Sequence, residues 1–315
     1  MDLDTYKKIR DGRAGFYKQK RGLIEVRGKE AVQFLDGMIT NDMKTLEDGA
    51  QMMAAFPNAQ GRLVAVVRVQ RLGDRFLIET EEATREKLFQ NLFRFTFAGD
   101  FFVEDLSEQF VYFDILGTVE DVYHSEVSRM VPGSFALEAR HFASYFVPVD
   151  QAEKFRGFLE KENGCLAIDD ELYETLRIES GVPKFGVDMD ETTIVPELGL
   201  EGMISYNKGC YVGQEIIARI HFRGHVAKKL IGLVFDGDLT NEAETRPSGS
   251  VLKHGSELVS DEGKNAGKIT SVTFSPKLGK AIALAFVRYD FLSAGTSLRA
   301  GEIECQVTEL PFVPA

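Results

Sequence analysis

The stretch "KGCYVGQE", residues 208–215, decides how this 315-residue chain is read. It sets Cys210 between Gly209 and a Tyr211-Val212-Gly213 step, with Lys208 before it and Gln214 and Glu215 after it. Glycine is used where a backbone turns sharply or approaches a neighbour closely, whereas a packing cysteine behaves as a small hydrophobe with no need of glycines. Three roles stay open for Cys210. It is a nucleophile if a cation or a helix N-terminus lowers its pKa, and Lys208 and the start of "GQEIIARI" supply such neighbours. It is a metal or sulfur ligand if a second chain completes the set, or else an inert buried thiol.

Outward from this loop, residues 208–229 hold five Lys/Arg and one acid, a net +4 in a chain of net −12. Such an island concentrates attraction for anions where the background repels them. The acidic remainder argues against non-specific coating of nucleic acid, which needs many cations to neutralise phosphates. Cys165, Cys210 and Cys305 lie far apart and are odd in number, so they form no disulfide framework and suit a reducing compartment. An iron–sulfur cluster normally takes four thiolates, so this chain alone cannot supply an all-cysteine set. The opening residues carry Asp2 and Asp4 without an apolar run, which is unlike a secretory signal or a transit peptide. The longest apolar run, "AIALAFV" at 281–287, is far short of the roughly 20 residues of a membrane span. The expected location is the cytoplasm, with no membrane partner.

A length prior of roughly 150 residues per domain implies at least two domains. "GLIEVRG" (22–28) reads as a strand, and "KEAVQFLDGMI" (29–39) as a helix with Phe34, Leu35 and Met38 on one face. Residues 61–80 alternate with period two around a Gly73-Asp74 turn, which predicts a hairpin. Helices follow over 81–95, 152–163 and 169–180; Asp150 and Glu153 have capping-box-like spacing, and Gly164 and Gly181 are stops. Beyond 226, short strands between Gly-rich turns ("KKLIGLVF", "GSVLKHGSELVS", "GKITSVTFS", "AIALAFVRY", "IECQVTEL") predict a small antiparallel barrel or sandwich. The chain is thus expected to be α+β with a C-terminal all-β domain. His221 and His225 are four apart, but Gly224 lies between them and there is no HExxH; no metal site is expected. P-loop, GxGxxG and GxSxG patterns are absent, and "GVPKFGVDMDE" lacks calcium-loop spacing.

"KGCYVGQE" followed by Ile216-Ile217-Ala218-Arg219 resembles the signature of the YgfZ-type folate-binding proteins, relatives of the glycine-cleavage T-protein (aminomethyltransferase) that include a mitochondrial iron–sulfur assembly factor. "FLDGMITNDMKTLEDG", "NAQGRLVAVVRV", "LRIESGVPKFGVDMDETTIVPELGL" and "GKITSVTFSPKLGKAIALAFVR" resemble further family segments in the expected order. The resemblance implies two mixed antiparallel α+β domains around a central cavity that holds tetrahydrofolate, plus a C-terminal barrel. The domain spans it suggests are 1–50 with 165–225, then 51–164, then 226–315. Carried over by position, it implies Cys210 as a functional thiol. It also implies folate-site roles for Lys208, Gly209, Tyr211, Gly213, Gln214, Glu215 and Arg219, for Thr40, Asn41 and Asp42, and for Arg177 and Glu179. The aminomethyltransferases resemble N-x-x-G-G-x-x-D-D in the hairpin, and Ala65 and Val66 stand here in place of the two aspartates. Neither side chain can act as an acid or a base, so aminomethyl transfer is expected to be disabled.

The function this implies is a tetrahydrofolate-binding accessory protein for iron–sulfur cluster assembly or repair, serving iron–sulfur enzymes that include one modifying tRNA. The basic island, with Arg219 and Arg223, suits the polyanionic glutamate tail of folate. A folate-dependent one-carbon transferase is the rival reading. Direct contact with tRNA is the least favoured, because of the acidic remainder.

Overall fold

The structure, a computed structural model, describes residues 1–117, 127–138, 142–235 and 252–314. The chain forms two compact units, residues 1–169 with 201–214, and residues 170–200 with 215–315.

The first unit holds α1 (Leu3–Arg10), β1 (Gly15–Gln19), β2 (Arg21–Arg27), α2 (Ala31–Met38), β3 (Gln51–Pro57), β4 (Leu63–Leu72), β5 (Arg75–Glu81), α3 (Glu82–Phe93), β6 (Phe102–Asp105), β7 (Phe110–Leu116), β8 (Phe135–Glu138), β9 (Phe142–Pro148), α4 (Ala152–Gly157) and β10 (Leu166–Ala167). Its strands make two five-stranded sheets, ordered β3-β4-β5-β2-β6 and β10-β1-β7-β9-β8. Among the described residues of this unit, every strand pairing is antiparallel except β1 with β10. α2 and α3 cover one face of the first sheet, where Leu35, Ile39, Leu88 and Leu92 bury against Ile24, Val67, Val69 and Ile78. On its other face Leu23 and Leu77 meet Tyr112, Leu137 and Phe146 of the second sheet. That sheet buries Phe113, Tyr145 and Val147 against Phe155 and Phe158 of α4 and the π-helical turn Phe158–Glu162.

The hairpin turns at Gly73-Asp74 as the alternation predicts, but its polar face is not a solvent face. Arg68 and Glu79 lie buried between the two sheets. Arg68 Nε donates to Glu79 Oε2 at 2.8 Å and its Nη2 to the Tyr112 hydroxyl at 2.5 Å. Arg21 Nε donates to the other Glu79 oxygen at 2.5 Å. Ser144 Oγ donates to Asp114 Oδ1 at 2.8 Å, and Gln19 Nε2 to Asp114 Oδ2 at 2.6 Å. Burial alone would raise the Glu79 pKa, but Arg21 and Arg68 hold it below the usual range.

The second unit holds α5 (Asp170–Glu179), α6 (Gln214–Arg223, from Glu215 onward), β11 (Lys228–Phe235), β12 (Glu257–Val259), β13 (Asn265–Ser275), β14 (Lys280–Arg288), β15 (Ser297–Ala300) and β16 (Ile303–Thr308). The six strands close into an antiparallel barrel in the order β11-β14-β13-β12-β15-β16, with β11 sealing against β16. Leu233, Phe235, Ile269, Ala283, Ala285, Leu298 and Val307 fill it.

Several local expectations change. α1 and β1 precede the strand read from "GLIEVRG", and β15 lies in a segment read as a turn. Residue 50 lies within the first unit, in which β2 pairs with β5 along its whole length. The Asp150–Glu153 capping box does not form; Asp150 sits in a 3-10 turn, and no side chain caps α4. Of "GSVLKHGSELVS", Gly249–Val251 lie outside the described residues, and only Glu257–Val259 are a strand.

Removing one member of a buried ion pair leaves the other uncompensated, at a cost of roughly 3–5 kcal/mol. Glu79→Ala should therefore lower the unfolding free energy by about that much in urea denaturation, and Glu82→Ala, half-exposed on α3, by less than about 1 kcal/mol.

Candidate functional site

The signature loop is fixed from α2. The last carbonyls of any helix lack intrahelical partners and carry the negative end of the helix dipole. At the end of α2, Lys208 Nζ donates to the carbonyls of Asp36 at 2.6 Å, Ile39 at 3.0 Å and Asn41 at 2.6 Å. It also stands 3.1 Å from Asp36 Oδ1. An ammonium has three N–H donors, so this set spends them all on the protein. Burial draws the Lys208 pKa below the ordinary lysine value, and Asp36 only partly offsets that. Burial would raise the Asp36 pKa, but hydrogen bonds from Lys44 and Lys208 keep it below the usual carboxylate range.

The Thr40-Asn41-Asp42 turn is equally committed. Thr40 is fully buried; its Oγ1 donates to Met203 O at 2.7 Å and accepts from Ala55 N at 2.9 Å. Asn41 Nδ2 reaches the carbonyls of Met53 and Gly202, each at 2.8 Å. Asp42 caps the 3-10 turn Met43–Thr45 through Lys44 N at 3.0 Å. These bonds tie the turn to β3 and to the segment that leads into the signature.

Tyr211 is buried, with the Lys208 ammonium 5.1 Å from its ring centroid, and burial pushes its hydroxyl pKa up to about 12. Val212 N donates to Gly37 O at 3.0 Å. Gly213 has φ +80°, and a Cβ there would lie 2.4 Å from Asn58 O in the turn between β3 and β4. Only glycine fits that approach. Gly209 is different: it is exposed, and a Cβ would meet nothing within 4 Å. Cys210 is exposed, whereas Cys165 and Cys305 are buried. The only accessible thiol therefore rides on a loop clamped on both sides, at Lys208 and at Tyr211–Gly213.

In the second unit, α6 carries Glu215 and Arg219 one turn apart, both exposed and without an ion pair or hydrogen bond among the described residues. The helix ends at Arg223, so His221 and His225 do not share a helix face. Arg177 and Glu179 of α5 are buried. Arg177 donates to Asp188 Oδ2 at 2.9 Å, Glu174 Oε2 at 2.8 Å, Val182 O at 3.0 Å and Ser271 Oγ at 2.9 Å. Ser275 of β13 donates to Glu179. Both side chains fasten α5 to the barrel. Sequence reasoning missed Asp36 and Asp188, the buried carboxylates at the centres of these clusters; nothing in their spacing marks them.

Two domain families match the chain: "GCVT N-terminal domain" over residues 5–122 and "Glycine cleavage T-protein C-terminal barrel domain" over residues 228–314. The chain is T-protein-like. It is 27% identical to an aminomethyltransferase of Rubrobacter xylanophilus, over 95% of this chain and 83% of that protein. It is 26% identical to a mitochondrial iron–sulfur cluster assembly factor IBA57 homologue of Mycosarcoma maydis, over 68% of this chain and 55% of that protein. The crystal structure of the glycine cleavage system aminomethyltransferase T from Bartonella henselae shares the fold, with TM-score 0.83 at 20% identity over 99% of this chain and 89% of that one. Among the described residues no helix is long and apolar enough to cross a membrane.

Two outcomes test this geometry. A thiol-reactive dye should label one cysteine per native chain quickly and three after denaturation; more than one fast thiol contradicts the assigned burial. Lys208→Met strands three carbonyls and Asp36, and should cost roughly 3–5 kcal/mol in urea. Lys44→Met, whose side chain is 64% exposed, should cost less than about 1 kcal/mol.

Proposed function

We propose that this chain is a tetrahydrofolate-binding accessory protein for iron–sulfur cluster assembly or repair, and that it does not catalyse aminomethyl transfer. The observation that carries this reading is the contrast within one T-protein-like fold. The signature loop is held rigidly and presents its thiol, while the hairpin lacks the transferase carboxylates: Ala65 is fully buried in β4 with only a methyl group to offer, and Val66 follows it. The likeness to an iron–sulfur assembly factor supports the accessory role.

Tetrahydrofolate presents pterin N–H donors and glutamate carboxylates, so its site needs a carboxylate and a cation that are not already spent. Glu215 and Arg219 meet that requirement. In this reading Glu215 accepts from the pterin, and Arg219 holds the tail carboxylate. Lys208, Thr40, Asn41, Asp42, Gly213, Arg177 and Glu179 act through the backbone they position, and Gly209, Tyr211 and Gln214 complete the loop. Bound folate supplies a pterin able to carry one-carbon units. Cys210 stands apart as the accessible thiol, able to meet a cluster jointly with a partner's ligands, which fits the lack of a four-thiolate set in this chain. The tRNA-modifying enzyme is one client class in this reading.

Calorimetric titration of the reduced protein with tetrahydrofolate tests it. Micromolar binding is expected for the parent and for Cys210→Ser. Glu215→Ala and Arg219→Ala should each weaken it at least about tenfold, the worth of one charge-assisted hydrogen bond. No binding by the parent removes the folate claim; loss only in Cys210→Ser moves the thiol into the folate site. The likeness to aminomethyltransferases keeps one-carbon transfer as the second reading, and turnover of an aminomethyl donor by the folate-loaded protein would establish it instead.

A further inference from the structure

The basic island gains members from a distant part of the chain. α6 ends at Arg223, and the chain passes through Gly224 and His225 into β11. β11 pairs with β14 so that Lys228 stands directly across from Arg288. Like charges opposite one another on a ladder repel. Lys228 relieves part of this by lying 4.3 Å from the Phe286 ring centroid. Arg288 remains exposed, with no hydrogen bond or ion pair among the described residues, and the same holds for Arg223.

The next residue brings a stacking surface. Tyr289 N donates to Ala227 O at 3.0 Å, and the His225 ring lies against the Tyr289 ring with centroids 3.5 Å apart and planes 14° apart. Tyr289 is 47% exposed and Phe222, just before Arg223, is 67% exposed. The Phe222 ring meets the His221 ring edge-on, and the His225–Tyr289 stack adjoins Arg223 and Arg288 along the chain; aromatic rings together with guanidiniums suit ligands that are both planar and anionic.

We propose that Phe222, Arg223, His225, Arg288 and Tyr289 form a binding surface for a single-stranded polynucleotide. Phosphates meet the guanidiniums, and bases stack on the exposed rings without sequence readout. An acidic peptide would use the cations but leave the rings idle. The acidic remainder of the chain weakens the overall attraction and confines the strand to this surface.

The test is fluorescence anisotropy of a short labelled oligouridine titrated with the full chain across a salt series. Saturable binding is expected at low salt, with log Kd rising against log salt with a slope of about 1.4, for two phosphate contacts at roughly 0.7 each. Arg288→Ala should reduce that slope by about 0.7. Phe222→Ala and Tyr289→Ala should each weaken binding roughly fivefold or more, with the urea midpoint of each variant checked against the parent so that a folding defect is recognised. Absence of saturable binding at low salt overturns the proposal. So does binding that the ring variants leave unchanged while polyglutamate of equal length competes as well as oligouridine, which would mark a surface for acidic peptide.

Discussion

A lysine ammonium removed from water must find its acceptors in the protein, and the signature loop is built on that requirement. Lys208 finds three carbonyls at the end of α2 and the carboxylate of Asp36. Asp36 offers a carbonyl that the last turn of α2 leaves unpaired, and Ile39 and Asn41 add two from the C-cap and the turn that follows. The loop can therefore dock in one place and one register. Tyr211 is then buried, Val212 pairs with Gly37, and Gly213 meets the β3–β4 turn at a distance no other residue tolerates. Cys210, between these anchors, is left facing solvent.

The second unit repeats the principle with opposite charge at its centre. Asp188 is buried and accepts from Arg177, Thr270, Ser271 and the Lys184 backbone, all at 3.0 Å or less. This carboxylate joins α5, the loop after it and β13, so the helix is fixed to the barrel by polar bonds as well as by packing. In both clusters a single buried ion is satisfied by groups from segments distant in sequence. Buried ions of this kind favour one arrangement over its alternatives, because any slip leaves a charge unpaired. Much of the 208–215 motif thus serves to hold backbone in place, while the side chains of Cys210, Glu215 and Arg219 are exposed.

The hairpin at 61–80 shows where periodicity succeeds and where it stops. Alternation located β4, β5 and their turn correctly, since side chains on a strand must point to opposite faces in turn. It does not say what covers either face, and Arg68 and Glu79 are buried between two sheets. A strand covered on both faces with an ion pair on one of them has the same alternating pattern as a strand with one wet face. Only the packing of the second sheet distinguishes them.

The sequence by itself determined the element types over most of the chain, the barrel at the C-terminus, the special character of residues 208–215 and the T-protein-like resemblance. Each of these depends on local periodicity, turn chemistry or a contiguous motif, which are properties of neighbouring residues. Only the tertiary structure decided that Lys208 is a helix cap, that Gly213 rather than Gly209 needs to be glycine, that Cys210 is the exposed thiol of three, and that Arg288 and Tyr289 join the basic island. Those outcomes depend on which distant segments share space. That is set by the burial of charge and apolar surface across the whole unit, a quantity that no short stretch of sequence contains.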